Sequence, residues 1–497
     1  MKRISPPFVG LFLSLAASAS LLSQTAPDPA LLPLLQHVLT HPEGGVPWSI
    51  EFAALKADRS ALPIGVFDSG IGGLTVMEAI LTLDAFNNRT LQPGADGIPD
   101  FAGERFIYFG DQANMPYGNY PAQGKESYLR ELILKDAVFL LGRRFHREHQ
   151  AVETKPAVKA IVIACNTATA FGIEDIRRAL ETWKLDVPVI GVVEAGARAV
   201  SEHLPADGTA GAIAVLATVG TCKADAYPRA IGRATGLAGK PLPKILQQGS
   251  VGLAGAVEGN PSFVSSQPAS RTTSYLGPAV ANPQCPIDVS LLPAYRFEPG
   301  GVAGDPAKVE TWQLNSAANY ARYDVTTLVA QYRQSGGGPA IGTVVLGCTH
   351  FPIIQTEIAD AFARLREFRG ADGAQPYREL IADHLDFVSP SEFTAKELFR
   401  ELARNRLRVS PERKEPPVLA AAYVSVPNAN CPGVKLGANG SFDPAYKYGR
   451  TPGRVELEDF FCVPMGDAAL PLESLAGLAR ALPVTWGQLR LPGATSR

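Results

Sequence analysis

Short apolar runs alternate with segments of helical spacing between residues 63 and 390, and this alternation constrains the fold more than any other feature. The runs are IGVF at 64–67, FIYF at 106–109, AIVIA at 160–164, VIGVV at 189–193, AIAVL at 212–216, TVVL at 343–346 and LDFV at 385–388. Uninterrupted apolar strands are typical of parallel sheets that helices cover on both faces. The sequence therefore predicts an α/β fold with largely parallel sheets.

Polar residues follow most of these runs, at the point where each strand should end. They are Asp68, Ser69, Cys165, Asn166, Thr167, Glu194, Thr218, Thr221, Cys348, Thr349 and His350. Ligands bind outside the carboxyl ends of the strands in open α/β sheets, so these residues are candidates for a functional site. Two runs end alike, in ACNT at 164–167 and GCTH at 347–350, which indicates a weak internal duplication with one cysteine in each half.

One cysteine in each half suggests a reaction that needs two bases. A thiolate is a good base when a helix dipole or a cation lowers its pKa from about 8.5. If Cys165 and Cys348 face opposite sides of a carbon acid, one can remove the α-proton and the other can return a proton on the opposite face. The product is then the mirror image of the substrate, and the chemistry needs no cofactor.

The sequence contains no motif for a nucleotide, a metal or a nucleic acid. It has no P-loop, and the glycines at 70, 72 and 73 lack dinucleotide-binding spacing; they better suit a backbone nest for a carboxylate. His146 and His149 lie three apart at the end of an expected helix (Lys125–His146), where we expect a solvated face rather than a metal site. With 46 basic and 48 acidic residues the net charge is −2, so nucleic-acid binding is not expected.

The first 19 residues have the form of a secretory signal peptide. Lys2 and Arg3 precede an apolar stretch at 8–22, and ASA at 17–19 is a cleavage site of the A-x-A type. At about 15 residues the stretch is short for a membrane span, which needs about 20. We therefore expect export to the periplasm without stable membrane insertion after cleavage, or a cytoplasmic protein if the segment is not cleaved.

Six ordered segments resemble glutamate racemase, of the cofactor-independent aspartate/glutamate racemase superfamily. They are IGVFDSGIGG at 64–73, YFGDQANMPYG at 108–118, IACNTA at 163–168, PVIGVVE at 188–194, ATVGT at 217–221 and LGCTHFP at 346–352. The resemblance extends over about 62–400, except for 250–335. It implies two similar α/β domains with the active site in the cleft between them, no cofactor, an acidic amino-acid substrate and a homodimer.

The resemblance also implies a role for each matched residue. It makes Cys165 and Cys348 the two bases, each serving one enantiomer. The residues that would assist the thiols are Asp68, His350 and Glu194, the last of them near His350. The substrate carboxylates would be bound by Ser69, Tyr117, Gly118 and Thr167, and the α-ammonium would contact Asn166, Thr349 and Asp68. Thr218 and Thr221 would line the pocket.

These observations divide the chain into five parts. They are a signal peptide at 1–19, a surface extension at 20–61, a first racemase domain at 62–190 that 352–400 could complete, a second racemase domain at 191–351, and a C-terminal extension at 401–497. The second domain contains a loop-rich insertion at about 250–335, and a last helix is expected near 472–482.

The expected activity is the interconversion of L- and D-glutamate by two-cysteine proton transfer, which in this family supplies D-glutamate for the peptidoglycan of the cell wall. The segment ILQQGS at 245–250 lacks the Cys-Pro run expected there from the family. Aspartate or another amino acid is therefore an alternative substrate, and a non-catalytic amino-acid-binding protein is a further alternative.

Four cysteines lie outside the matched segments: Cys222, Cys285, Cys431 and Cys462. In an oxidising compartment they could form two disulfides in three possible pairings. We expect a disulfide between Cys431 and Cys462, because both belong to the C-terminal extension.

Overall fold

A computed structural model of the protein describes residues 29–56, 58–147, 151–205, 211–265, 267, 270–272, 274–410, 412–437, 439–467 and 482–489. The expected signal peptide lies outside the described residues, and so does nearly all of the helix expected near 472–482.

The described residues form an α/β fold, as the alternating pattern predicts. The strands are β1 (Ile64–Asp68), β2 (Arg105–Gly110), β3 (Arg144–Arg147), β4 (Ala151–Thr154), β5 (Ala160–Ile163), β6 (Val189–Gly191), β7 (Ala212–Thr218), β8 (Ile245–Ser250), β9 (Val302–Ala303), β10 (Gln313–Leu314), β11 (Ile341–Gly347), β12 (Ile381–Val388), β13 (Val418–Pro427) and β14 (Phe460–Pro464). The helices are α1 (Leu32–Thr40), α2 (Phe52–Lys56), α3 (Leu74–Thr82), α4 (Glu126–Leu141), α5 (Asn166–Trp183), α6 (Val192–His203), α7 (Val219–Lys223), α8 (Ala226–Leu237), α9 (Leu253–Val257), α10 (Leu292–Tyr295), α11 (Ala317–Gln334), α12 (Gln355–Arg366), α13 (Pro390–Arg404), α14 (Pro444–Gly449) and α15 (Pro483–Gln488).

The first sheet has six strands in the order β14-β13-β2-β1-β5-β6. All neighbours pair in parallel except β14, which pairs antiparallel with β13. Val66 and Val162 belong to the apolar core on one face, whereas Phe67 and Ile163 belong to the core on the other. Both faces are therefore covered, which explains why these strands are apolar without interruption.

The second sheet has four parallel strands in the order β12-β11-β7-β8. The segment expected as a loop-rich insertion packs against this sheet. Its Phe263, Ile287 and Tyr295 are buried in the same core as Leu346 of β11. The segment also contains α11, a helix of 18 residues that packs against α12 and β8.

The C-terminal segment is part of the first sheet. Strand β13 pairs in parallel with β2 over Val418–Val424, and β14 closes that edge of the sheet. The N-terminal segment expected on the surface also contributes to the core, since Leu34, Val38 and Ile50 are fully buried. Both segments therefore stabilise the first α/β unit.

One predicted helix end is wrong. Helix α4 ends at Leu141, and Gly142 follows it with an extended backbone. Residues Arg144–Arg147 then form an antiparallel ribbon with Ala151–Thr154, in which His146 is buried against Phe461. His149 lies outside the described residues. His146 therefore lies on a strand and not on a solvated helical face.

None of the helices in the described part of the chain has the length and apolar character that crossing a bilayer requires.

Candidate active site

A cavity lies where the carboxyl ends of β1 and β5 in the first sheet meet those of β7 and β11 in the second. It is lined by Asp68, Ser69, Met115, Pro116, Tyr117, Gly118, Cys165, Asn166, Thr167, Thr218, Ala254, Cys348, Thr349 and His350. Polar residues that are far apart in the sequence thus meet because parallel strands present their carboxyl ends at one edge. Of the polar residues that follow the apolar runs, Glu194 and Thr221 do not line the cavity, and neither do the glycines at 70, 72 and 73.

Cys165 lies at the start of helix α5, in the first half of the site. Its sulfur accepts a hydrogen bond from the Ala168 amide (3.4 Å) and donates one to Ser69 Oγ (3.6 Å). The residue is only 6% exposed. Burial raises the pKa of the Cys165 thiol, and the nearby Asp68 carboxylate raises it further. These surroundings hold Cys165 as a protonated thiol.

Asp68 ends β1 beneath this cysteine. Its Oδ2 atom accepts hydrogen bonds from the amides of Gly73 (2.9 Å) and Gly70 (3.3 Å). Burial raises the pKa of the Asp68 carboxyl, whereas the charge of His350 and the two amide bonds oppose that shift. Asp68 is thus a buried carboxyl with an elevated pKa between the two halves of the site.

Cys348 ends β11 in the second half of the site, and its surroundings are different. Its sulfur lies 3.6 Å from His350 Nδ1, and His350 Nε2 lies 2.7 Å from Glu258 Oε1. Burial lowers the pKa of His350, but the Glu258 carboxylate and Cys348 more than offset that effect, so the pKa of His350 lies well above its ordinary value. The imidazole beside Cys348 is therefore positively charged.

The carboxylate beside His350 is Glu258, not the expected Glu194. Glu194 does not line the cavity, and its Oε2 atom is buried without a hydrogen-bond partner near Gly191. The sequence analysis missed Glu258 because this residue follows the short helix α9, which begins the segment outside the matched motifs. Glu258 comes from a part of the chain where no apolar run marks a strand end.

Hydroxyl groups and one amide complete the wall between the two halves. Thr167 Oγ1 lies 2.9 Å from Thr218 Oγ1 and 3.3 Å from Thr221 Oγ1, and the last two atoms are 3.0 Å apart. Thr221 thus supports the cavity wall from behind. Asn166 Oδ1 accepts a 2.6 Å hydrogen bond from the Tyr227 hydroxyl, which orients the Asn166 amide.

The side-chain hydroxyl of Tyr117 is not free to bind a ligand. It donates to Asp111 Oδ2 (2.5 Å) or Asp136 Oδ2 (2.7 Å), two buried carboxyls whose pKa values are raised by burial. Tyr117 and Gly118 still line the cavity. Any contact of Tyr117 with a substrate must therefore come from its backbone or its ring, because the hydroxyl is engaged.

The two halves of the site are in direct contact. A Cβ atom at Gly72, in the loop after β1, would lie 2.3 Å from His350 Cε1 in the second half. Thr75 Oγ1 of α3 lies 3.1 Å from the carbonyl oxygen of Thr349. Glycine at position 72 is thus what allows the loop after β1 to approach the histidine.

Comparison with known proteins finds racemases among those that the chain resembles. Residues 145–267 match the family model described as Asp/Glu/Hydantoin racemase. The chain is 27% identical over 322 residues to a glutamate racemase from Geobacter metallireducens, a match that spans 65% of this chain and 79% of that protein. It is 36% identical over 202 residues to a glutamate racemase from Limosilactobacillus fermentum, across 39% of this chain and 59% of that protein. The chain is thus similar to glutamate racemases over part of its length.

Glutamate racemases are also found among the solved structures that resemble this fold. The enzyme from Francisella tularensis, solved in complex with D-glutamate, aligns with a TM-score of 0.40 at 23% identity, across 72% of this chain and 86% of that one. The RacE1 isoform from Bacillus anthracis aligns with a TM-score of 0.41 at 22% identity, across 72% of this chain and 87% of that one.

No group of three or more histidine, cysteine, aspartate or glutamate side chains within the described ranges is placed to hold a metal ion.

Proposed function

We propose that this protein interconverts L- and D-glutamate by cofactor-independent proton transfer between two cysteines. The observation that carries the proposal is that Cys165 and Cys348, from two different sheets, line one cavity and have different polar partners. A site that only binds an amino acid has no need of two buried thiols. The kinship with the glutamate racemases supports the same reaction.

The two cysteines have different charged neighbours, and these suggest which one acts first. A positively charged His350 beside Cys348 is the kind of neighbour that stabilises a thiolate. The raised pKa of Cys165 keeps that residue protonated. We assign Cys348 as the base of the first step and Cys165 as the acid that completes it.

The reaction proceeds from this state by two proton movements. The Cys348 thiolate removes the α-proton from one face of the bound amino acid, and the electron pair of the broken C–H bond remains as a carbanion stabilised by the α-carboxylate group. The Cys165 thiol then gives its proton to the opposite face. The thiol and the thiolate have now exchanged places, which is the state required for the other enantiomer.

The remaining cavity residues hold the amino acid during this exchange. We assign Asn166, Thr349 and Asp68 to the α-ammonium group. The carboxyl of Asp68, whose pKa is raised, then lies near the positive charge of the substrate. The residues assigned to the substrate carboxylates are Ser69, Tyr117, Gly118 and Thr167, supported by Thr218 and Thr221. Asp68 and His350 also assist proton movement at Cys165 and Cys348.

A racemisation assay with matched variants tests the proposal. Purified protein under mild reductant is incubated with L-glutamate and, separately, with L-aspartate, and optical rotation is followed. We expect rotation to be lost with L-glutamate in the wild type and retained in both Cys165→Ser and Cys348→Ser. Loss of rotation only with L-aspartate would show that aspartate, and not glutamate, is the substrate. Binding of glutamate without racemisation would instead favour the non-catalytic alternative.

We also propose that residues 1–19 direct export to the periplasm, on the basis of the basic, apolar and A-x-A segments in that order. N-terminal sequencing of the protein from the periplasmic fraction should begin at Ser20. A protein that retains Met1 in the cytoplasmic fraction would contradict export. The racemase kinship further suggests a homodimer, and light scattering at several concentrations should give twice the mass of the chain.

A further inference from the structure

One wall of the catalytic cavity is a loop that the C-terminal segment holds in place. Residues 111–120 follow β2, and within them Met115, Pro116, Tyr117 and Gly118 line the cavity. The loop begins directly beside the catalytic carboxyl, because the Asp111 amide donates a 2.9 Å hydrogen bond to the Asp68 carbonyl. Its conformation therefore sets one boundary of the space that the substrate occupies.

Ser425 of β13 supports the start of this loop. The Ser425 hydroxyl donates to Asp111 Oδ1 (2.6 Å) and accepts from the Ala113 amide (2.9 Å). Ser425 is 1% exposed, so water cannot replace either bond. The hydroxyl thus connects the sheet edge added by the C-terminal segment to two positions of the loop.

Helix α14 supports the middle of the loop. Lys447, which is 8% exposed, donates through Nζ to the carbonyl oxygen of Met115. The next residue, Tyr448, accepts a 3.3 Å hydrogen bond at its hydroxyl from Asn119 Nδ2. The two contacts lie on either side of Tyr117 and Gly118, which face the cavity.

Arg450 adds a third point of attachment directly after this helix. One guanidinium nitrogen donates to Asn114 Oδ1 (2.6 Å) and Tyr120 Oη (3.1 Å). The other terminal nitrogen donates to Asp459 Oδ2 (3.0 Å), so the charge of Arg450 is paired where it is buried. Arg450 therefore joins both ends of the cavity-lining stretch to the C-terminal segment.

We propose that Ser425, Lys447 and Arg450 are positioning residues for the substrate. They touch neither the thiols nor the cavity; they act by fixing the backbone of 113–120, whose other side forms the cavity wall. Displacing a binding group by about 1 Å can reduce the rate about a hundredfold. The C-terminal segment lies beyond the motifs shared with the racemases, and it thus helps to position the cavity wall of the active site. The proposal rests on the proposed racemase function.

Two variants and a matched control test this proposal. Ser425→Ala removes one hydroxyl, and Lys447→Met removes one ammonium group while keeping the length of the side chain. Lys155→Met is the control, because Lys155 is also a buried lysine that donates to main-chain carbonyls, those of Leu140 and Gly142, away from the cavity. Each variant is measured as the full chain for glutamate KM and kcat, and for hydrogen–deuterium exchange of the peptide 111–120.

We expect Ser425→Ala and Lys447→Met each to raise KM about tenfold or more and to speed exchange in 111–120, because the loop that forms the cavity wall is then held at fewer points. We expect Lys155→Met to lower the melting temperature yet leave KM within about twofold and exchange in 111–120 unchanged, as for sites that share no partners. Unchanged KM and exchange in both variants would overturn the proposal. Changes of the same size in KM and exchange in the Lys155→Met control would also overturn the proposal.

The exchange measurement also separates this proposal from the racemase function. If the wild type racemises no amino acid, the racemase function fails, and exchange in 111–120 still decides whether the segment fixes the loop. If Lys447→Met does not fold, Ser425→Ala decides alone, since it removes a single oxygen atom.

Discussion

The two thiols of the site have opposite electrostatic surroundings. Cys165 lies in a buried setting beside the carboxyl of Asp68, which favours its protonated form. Cys348 lies beside a histidine that Glu258 holds in its charged form. The charged imidazole lies beside Cys348 and the carboxyl of Asp68 lies near Cys165, so the two thiols are not electrostatically equivalent.

Glu258→Gln should weaken catalysis and shift its pH dependence. Glu258 raises the pKa of His350, so its removal lowers that pKa, and the histidine loses its proton at a lower pH. We expect kcat to fall about tenfold to a hundredfold, and the alkaline decline of activity to move to lower pH. A pH profile of kcat/KM for both proteins measures the shift.

Glu194→Gln serves as the matched control for that variant. Glu194 is also a mostly buried glutamate with a raised pKa, caused by burial, but it does not line the cavity. Its pH profile should follow that of the wild type. A profile that shifts with Glu194→Gln and stays fixed with Glu258→Gln would restore the assignment made from sequence.

Most residues of the site could be predicted because each follows an apolar strand. Cys165, Cys348 and Asp68 are found in this way, since burial on both faces makes a parallel strand recognisable. Glu258 could not be found by the same rule. It lies 92 residues before His350, after a short helix in a segment rich in glycine, proline and serine, and only tertiary packing brings it to the histidine.

At the scale of elements, the loop between β1 and α3 determines how closely the two halves approach. Gly72→Ala would place a methyl group against His350. We expect kcat/KM to fall about a hundredfold, because the histidine and its cysteine must move relative to the substrate. Gly236→Ala is the control, since a Cβ there meets open space, and it should keep full activity. Equal activity of Gly72→Ala and Gly236→Ala would show that catalysis does not need the close approach of the loop after β1 to His350.

Helix α11 carries a buried acid that should make stability depend on pH. Burial raises the pKa of Asp324 to about 7, above its ordinary value of 3.8. The folded state therefore binds a proton that the unfolded state releases, so stability falls as the pH rises from about 4 to 7. Asp324→Asn cannot titrate and should lack this loss, which is at most about 4 kcal/mol.

Urea unfolding at pH 5 and pH 8 measures this effect. The free energy of unfolding of the wild type relative to Asp324→Asn should be lower at pH 8 than at pH 5. A difference that does not change with pH would mean that Asp324 titrates below this range in the folded protein.

Sequence reasoning missed strands β8, β13 and β14, for two different reasons. Strand β8, ILQQGS, carries two glutamines, and one of them, Gln248, hydrogen-bonds Asp324 inside the second unit. Strands β13 and β14 pair antiparallel at the edge of the first sheet, after the alternation with helices has ended. Strand β8 therefore lacks the long apolar run that identified the other sheet strands. Strands β13 and β14 do contain apolar runs, VLAAAYV at 418–424 and FFCV at 460–463, but these runs lie outside the alternation of strands and helices.

At the scale of the whole molecule, the segments at both ends of the racemase-like region are integrated into its first half. The C-terminal segment extends the sheet and supports a cavity wall, and the N-terminal helix α1 packs against α5. The sequence alone could not predict these contacts. A local sequence pattern shows that a side chain is apolar, but not which distant segment it packs against.

All six cysteines are free thiols, so the expected disulfide between Cys431 and Cys462 is wrong. Cys462 lies on β14 and is buried in the core of the first sheet, whereas Cys431 lies in a partly exposed loop. Alkylation of the denatured protein without reductant should therefore label six thiols. A mass increase on reduction, or fewer than six labels, would show a disulfide.

The placement of deuterium during racemisation tests the two-thiol account most directly. L-Glutamate is converted in deuterated water, the enantiomers are separated at low conversion, and α-deuterium is measured in each. Because one thiol removes the proton and the other supplies a solvent deuteron, D-glutamate should be deuterated while the remaining L-glutamate keeps its protium. Deuterium appearing in L-glutamate as fast as in D-glutamate would mean that one base serves both faces, and would contradict the account.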